Sequence, residues 1–160
     1  MSSVRVLIKF ISPAAAGNVI SGSVLEPELL IFAGYGIFLS DTMRNRYNYY
    51  FHRRKMRTIV TDPLCLEEGK PEDILRRLTE LIGRYAPDEP VIDITDADAA
   101  QGFAVGTILH AHPEWNCAVL NFRTDRGACI PVLNGSRYRL LTMPDVTAGE
   151  MHYLRYGTPD

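Results

Sequence analysis

The sequence predicts an α/β fold: a three-layer sandwich around a mostly parallel sheet, with an antiparallel hairpin near its carboxyl end. Three observations carry this. Short apolar runs, at Val4–Ile11, Glu28–Ala33 and Val91–Ile94, alternate with longer stretches of helical character. Pro71-Glu72-Asp73 opens a stretch whose apolar residues Ile74, Leu75, Leu78, Leu81, Ile82 and Tyr85 recur at helical spacing. Arg123-Thr124-Asp125-Arg126-Gly127 separates two apolar runs in the manner of a hairpin turn.

Taken in order, Val4–Ile11 suits a central parallel strand, interrupted only by Arg5 and Lys9. The small residues of Ser12–Gly17 form a loop leading to a helical stretch over Asn18–Leu25. Glu28–Ala33 is the second strand, closed by Gly34-Tyr35-Gly36. Ser40 and Asp41 are candidate caps of a helix reaching about Lys55, and Arg57–Thr61 is a third strand. Proline in the first turn and two acids at the positive end of the dipole start the helix at Pro71, which Pro87 and Pro90 end. Val91–Ile94 is the fourth strand. Asp98 to about Ala111 is a helix whose small residues, Ala99, Ala100, Gly102, Ala104 and Gly106, allow close approach to the sheet. Cys117–Phe122 and Ala128–Leu133 form the hairpin, Arg137–Leu141 adds an edge strand, and a last helix follows Pro144, packed on a partner chain. Right-handed crossovers then gather the loops at 12–17, 34–36, 61–63 and 95–98 at one rim, with Ser12 and Thr95 as neighbours.

Composition narrows the function classes. Of 160 residues, 46% are hydrophobic and 22% charged, which excludes wholesale disorder. A net charge of −2 gives no global attraction to nucleic acid or to a membrane surface. Cys65, Cys117 and Cys129 are odd in number and contain no CxxC pair, so buried, reduced thiols in the cytoplasm are expected. No apolar segment is long enough to span a bilayer, so no membrane partner is expected.

The candidate site lies at the carboxyl edge of the sheet, where open α/β folds place their ligands. The turn Thr95-Asp96-Ala97-Asp98 offers a hydroxyl, main-chain amides and two carboxylates to ribose hydroxyls or an adenine amino group. It equally suits a helix start, with Thr95 or Asp96 as cap and Asp98 in the first turn. Ser12 to Asn18 forms a flexible approach to the backbone and to a helix terminus. It has neither a GxGxxG nor a Walker A pattern, so no cofactor is indicated. Gly34-Tyr35-Gly36 presents either a ring for base stacking or a plain turn. The run from Arg44 to Arg57 interleaves six cations with Tyr47, Tyr49, Tyr50 and Phe51. It reads as a solvated helix face, a polyanion surface, or a partner for Asp93, Asp96 and Asp98. His110 and His112 near Cys117 do not complete a zinc set. Asp62, Glu68 and Lys70 sit in loops, unlike a nuclease core. No nucleophile elbow and no general base are evident, so no catalytic residue and no metal ligand are assigned.

These features together resemble the CARF domains, the Rossmann-like sensor modules of CRISPR-associated proteins, and most of all the amino-terminal parts of CARF–nuclease fusions. The resemblance covers roughly residues 4–141. It rests on Ser12-Pro13 followed by Asn18-Val19, on the acid-led helix preceding a short strand and Thr95-Asp96-Ala97-Asp98, and on the hairpin around Asp125-Arg126-Gly127. It implies a Rossmann-like domain over 1–143 and a tail or linker over 144–160, leading to an effector domain. It further implies a homodimer and a nucleotide-derived ligand of the cyclic oligoadenylate class in antiviral defence. Ser12 and Asn18 would contact that ligand from the first loop. Gly34 and Tyr35 would line its side, and Thr95, Asp96, Asp98 and Gln101 would form the floor. Some relatives cleave the ligand they bind, so ring-nuclease activity is a variation. The family often carries a glycine-glycine-threonine-lysine type of turn where this chain has Asp96, Ala97 and Asp98. Two carboxylates there would repel phosphate by roughly 1–4 kcal/mol per close pair. Either the ligand differs, or it is held elsewhere, or the pocket has decayed. Two other classes stay open: a nucleotide-processing enzyme holding magnesium on Asp96 and Asp98, and a ligand-free dimerisation module.

Overall fold

The computed structural model describes residues 4–36, 40–123, 128–135, 138 and 146–157. Strand β1 (Val6–Phe10) leads through a 3-10 turn at Ala15–Val19 into α1 (Ile20–Leu25) and β2 (Leu29–Tyr35). Helix α2 (Asp41–Arg53), the short strands β3 (Ile59–Val60) and β4 (Leu64–Leu66), α3 (Pro71–Tyr85), β5 (Val91–Asp93) and α4 (Ala99–Ala111) follow. The chain continues with β6 (Ala118–Arg123), β7 (Ala128–Leu133) and α5 (Ala148–Tyr156).

The seven strands form one sheet in the order β3-β2-β1-β5-β6-β7, with β4 also paired to β2. All pairings are parallel except the β6–β7 hairpin. The α/β class, the parallel sheet and the terminal hairpin are therefore as expected. The turn residues 124–127 and the edge strand expected at 137–141 lie outside the described residues, apart from Tyr138, which is buried in the core.

Period-two alternation divides each strand between two cores. Leu7, Leu30, Phe32, Val91, Leu120 and Phe122 face Tyr47, Tyr50 and Phe51 of α2 and Leu154 of α5. Val6, Ile8, Phe10, Ile31, Ile92 and Val119 face Ile74, Leu78 and Ile82 of α3 and Val105 and Ile108 of α4. Glycine is required at position 22, where a Cβ would lie 2.8 Å from Phe51 Cζ.

Several local expectations change. The third strand, expected over Arg57–Thr61, is only Ile59–Val60, and a strand that was not expected, β4, follows Asp62-Pro63, where proline cannot donate to a ladder. β2 extends through Gly34 and Tyr35, and the turn residue is Gly36 at φ +55°. Ser40 caps α2, accepting from Met43 N–H at 3.2 Å, and Asp41 occupies the first turn. The small residues of α4 do not all serve close packing: Gly102 and Gly106 face open space beside Phe103, which is 78% exposed. Helix α5, started by a Thr147–Glu150 capping box, packs on α2 of its own chain. Arg54 donates to both Glu150 carboxylate oxygens at 3.0 and 3.1 Å, and the Tyr49 and Tyr153 rings meet at a tilt of 47° with centroids 5.1 Å apart. No described helix is long and apolar enough to cross a membrane.

Candidate functional site

β1 and β5 are neighbours, yet their chains leave in opposite directions, β1 toward β2 and β5 toward β6. Such a switch in connectivity leaves a crevice beyond the carboxyl ends of the strands. The structure has a cavity of about 280 Å³ there. Ser12, Ala14, Ala16, Gly17 and Ile20 form one wall, Thr95, Asp96 and Phe122 the other, and Lys9 and Asp93 the inner end. Ser12 and Thr95 thus share one cavity.

Its floor is ionic. Lys9 and Asp93 are paired in register between β1 and β5, and each side chain is 1% exposed. Lys9 Nζ lies 3.4 Å from Asp93 Oδ2. It donates at 2.9 Å to Asp96 Oδ2 and at 3.2 Å to the Phe10 carbonyl. A buried lysine is tolerated only when paired, and here two carboxylates pair it. The repulsion expected from Asp96 is therefore reduced from inside the fold, though the three groups together keep a net negative charge. Lys9 escaped the sequence reading, where it appears as a polar interruption in an apolar strand. A usable signal was present: Lys9 and Asp93 are opposite charges, each near the end of an apolar run, on strands that flank the expected crevice.

The first loop is braced by Asn18. Its Oδ1 accepts from Ser12 N–H at 2.6 Å, and its amide donates to the Ser12 carbonyl at 3.1 Å and to Tyr47 Oη at 3.0 Å. With 2% exposure, Asn18 spends its polar atoms on the loop and does not open onto the cavity. Ser12 Oγ accepts from Ala14 N–H at 3.2 Å and keeps its own hydroxyl proton available. Gly17 is needed because a Cβ would stand 2.8 Å from Ser12 Oγ.

Thr95 is likewise engaged. Its backbone N–H donates to Asp93 Oδ1 at 2.9 Å, its hydroxyl donates to the same oxygen, and Phe122 N–H donates to the hydroxyl at 2.8 Å. These bonds fix the turn to β6 and leave Asp96, 27% exposed at its side chain, as the polar group most open to the cavity mouth.

The other predicted residues form a second group. Neither Thr95 nor Asp96 caps α4; Asp98 does. Its carboxylate accepts from Gln101 N–H at 2.8 Å while Gln101 Oε1 accepts from Asp98 N–H at 3.0 Å, a complete capping box. Tyr35 extends from β2 on the α3 side of the sheet, packed against the core there. Burial, reinforced by the Asp98 carboxylate beside it, pushes its phenol up to about 12. Gly34 is buried within β2, paired with Cys65. Ser12, Thr95 and Asp96 are thus brought together, and Tyr35, Asp98 and Gln101 stand apart from them.

The basic run on α2 is largely structural. Arg44 pairs with Asp62 at 2.8 Å, Arg46 donates to the Arg155 carbonyl at 3.2 Å, and Arg54 holds Glu150. None of the three described ion pairs from this run reaches Asp93, Asp96 or Asp98. A larger groove of about 590 Å³, between α2 and α5, is lined by Tyr49, Tyr50, Arg53, Glu150 and Tyr153. It is the seam where α5 docks, and the smaller crevice is the better candidate because strand topology and a buried cation converge there. Among the described residues no group of three His, Cys, Asp or Glu side chains is placed to hold a metal. Burial raises Cys117 and Cys129 to about 11, whereas Cys65 is exposed, contrary to the expectation of three buried thiols.

No protein-family model matches the chain, and no curated protein matches it. Solved structures do. Can2 from Sulfobacillus thermosulfidooxidans, solved in complex with cyclic tetra-adenylate, superposes with a TM-score of 0.68 at 12% identity, over 96% of this chain and 41% of its own. Protein VC1899 from Vibrio cholerae gives 0.60 at 10% identity, over 81% and 33%. Enterococcus italicus Csm6, bound to cyclic hexa-2′-fluoro-hexa-dAMP, gives 0.52 at 7% identity, over 97% and 38%. Identity this low establishes a common fold, and the chain spans at most about two fifths of the length of each of these proteins.

Proposed function

We propose that this chain, whose fold is CARF-like, is a sensor domain that binds a cyclic oligoadenylate-class ligand and passes its occupancy to an effector domain. The observation that carries the reading is the crevice at the β1–β5 switch, in a fold shared over nearly the whole chain with a protein solved with cyclic tetra-adenylate. Ser12 offers a hydroxyl and the surrounding loop its amides. Asp96 offers an acceptor for a ribose hydroxyl or an adenine amino group. Asn18 and Thr95 set the positions of the two walls; Tyr35 and Asp98 extend the rim for a ligand larger than one nucleotide, while Gly34 and Gln101, both buried, support that rim from within.

A homodimer belongs to the same proposal. The cavity of about 280 Å³ falls near the lower bound, roughly 300 Å³, of pockets that enclose a drug-sized ligand. A ring of four or six adenylates is far larger, so two crevices facing one another suit it better than one. Helix α5, held to α2 by Arg54 and Glu150, is the element through which occupancy would pass to a following domain.

Thermal unfolding of the chain with cyclic tetra-adenylate, cyclic hexa-adenylate and linear tetra-adenylate tests this reading. A cyclic ligand at 100 times its dissociation constant adds about 2.7 kcal/mol of stability, with a clear rise in Tm. An unchanged melting curve with all three overturns the proposal.

A further inference from the structure

Lys9 is the one cation lining the crevice among the described residues, and in the free protein its ammonium is covered. Resting on the nucleotide-binding reading above, we infer that Asp96 is a built-in competitor: its carboxylate occupies the place on Lys9 that a ligand phosphate takes, and the ligand must displace it.

The two carboxylates on Lys9 are not equivalent. Asp93 is 1% exposed and its Oδ1 is tied to both the backbone N–H and the hydroxyl of Thr95. It cannot leave without dismantling the turn. Asp96 is held in the fold through the Lys9 contact alone among the described side-chain bonds, and its side chain is 27% exposed at the mouth of the cavity. It sits on a tight turn closed by Ala97 N–H donating to the Ile94 carbonyl at 3.0 Å, which Asp96 spans without anchoring.

The exchange is like for like. A charge-assisted N–H···O bond to a carboxylate is replaced by one to a phosphate oxygen, and Asp93 stays behind to balance the buried cation. A neutral nucleoside gains nothing from Lys9 and leaves Asp96 in place. The crevice therefore selects for ligands carrying a phosphate at the depth of Lys9, against the bias of its own net negative charge.

The experiment is calorimetric titration of the wild-type chain and Asp96→Asn with two probes, cyclic tetra-adenylate and inorganic pyrophosphate. Removing the competitor tightens both by roughly tenfold or more, the equivalent of one charge-assisted hydrogen bond. In a Lys9→Met/Asp93→Asn background, which removes the cation without orphaning a buried charge, the same Asp96→Asn change tightens either probe clearly less, by only what relief of like-charge repulsion supplies. The inference is overturned if Asp96→Asn leaves both affinities unchanged or weakens them, or if its gain is undiminished without Lys9. If pyrophosphate responds as stated while cyclic tetra-adenylate binds no form, the competitor stands and the oligoadenylate reading falls. If cyclic tetra-adenylate binds all forms equally, the reverse holds.

Discussion

Lys9 and Asp93 stand opposite one another on adjacent parallel strands, both sealed from solvent, with nitrogen and oxygen 3.4 Å apart. A pair so placed adds little net stability over an apolar pair of the same shape, yet removing one member leaves an uncompensated buried charge.

Lys9→Met is therefore expected to destabilise the fold by about 3–5 kcal/mol, and adding Asp93→Asn is expected to recover a large part of that loss. Urea unfolding of both single variants and the double variant measures the coupling. Losses that merely add would show that the two side chains act independently.

Asn18→Ala removes three hydrogen bonds at once from the first loop. A loss of about 1–3 kcal/mol is expected, since the Ser12 groups regain only part of their partners from water. Tyr47→Phe removes one of the three and should lose no more than about 1.5 kcal/mol. Hydrogen exchange at the Ser12 amide should accelerate in Asn18→Ala and stay near the wild-type rate in Tyr47→Phe.

Tyr35 titrates at about 12 through burial and the neighbouring Asp98. Its folded value lies above the ordinary 10.0, so the stability linked to the neutral phenol is present in full below pH 10 and is lost as pH rises toward 12. Asp98→Asn removes the charge while Asn still caps α4. The tyrosinate absorbance of Tyr35, identified by difference from Tyr35→Phe, should then appear at lower pH, with stability at pH 7 changed by less than about 1 kcal/mol. An unmoved titration would remove Asp98 from the environment of the phenol.

One of the three thiols should react fast with a disulfide reagent in the native protein, and all three after denaturation. Cys65 is exposed, whereas burial holds Cys117 and Cys129 shut and raises both to about 11. Cys65→Ser should abolish the fast phase; a surviving fast phase would mean that a core thiol is reachable.

The order of strands and helices was legible because parallel strands buried on both faces read as continuous apolar runs and burial of one face imposes a 3.6-residue period on α3. The site was legible in part. Ser12 and Thr95 meet as topology requires, but Asn18 and Thr95, polar residues at loop positions, turn inward to secure the backbone. Sequence pattern does not distinguish a side chain that serves a ligand from one that serves its own loop, since both need a small polar group near free amides. Lys9 was hidden for the opposite reason: within an apolar strand a charge reads as tolerated interruption, and its opposite charge Asp93 hints at a partner that the register of β1 against β5 then shows. β4 was missed because three residues, Leu64–Leu66, are too few for periodicity to resolve.

The divergence of the chain after β1 and β5 has one more consequence. The opening is set by backbone paths, so lining residues outside the Lys9–Asp93 floor and the Asn18 and Thr95 braces can be exchanged without rebuilding the scaffold. Grafting a different recognition chemistry into this molecule is thus a matter of rewriting two short loops, and the central strands form a chassis that tolerates the rewriting.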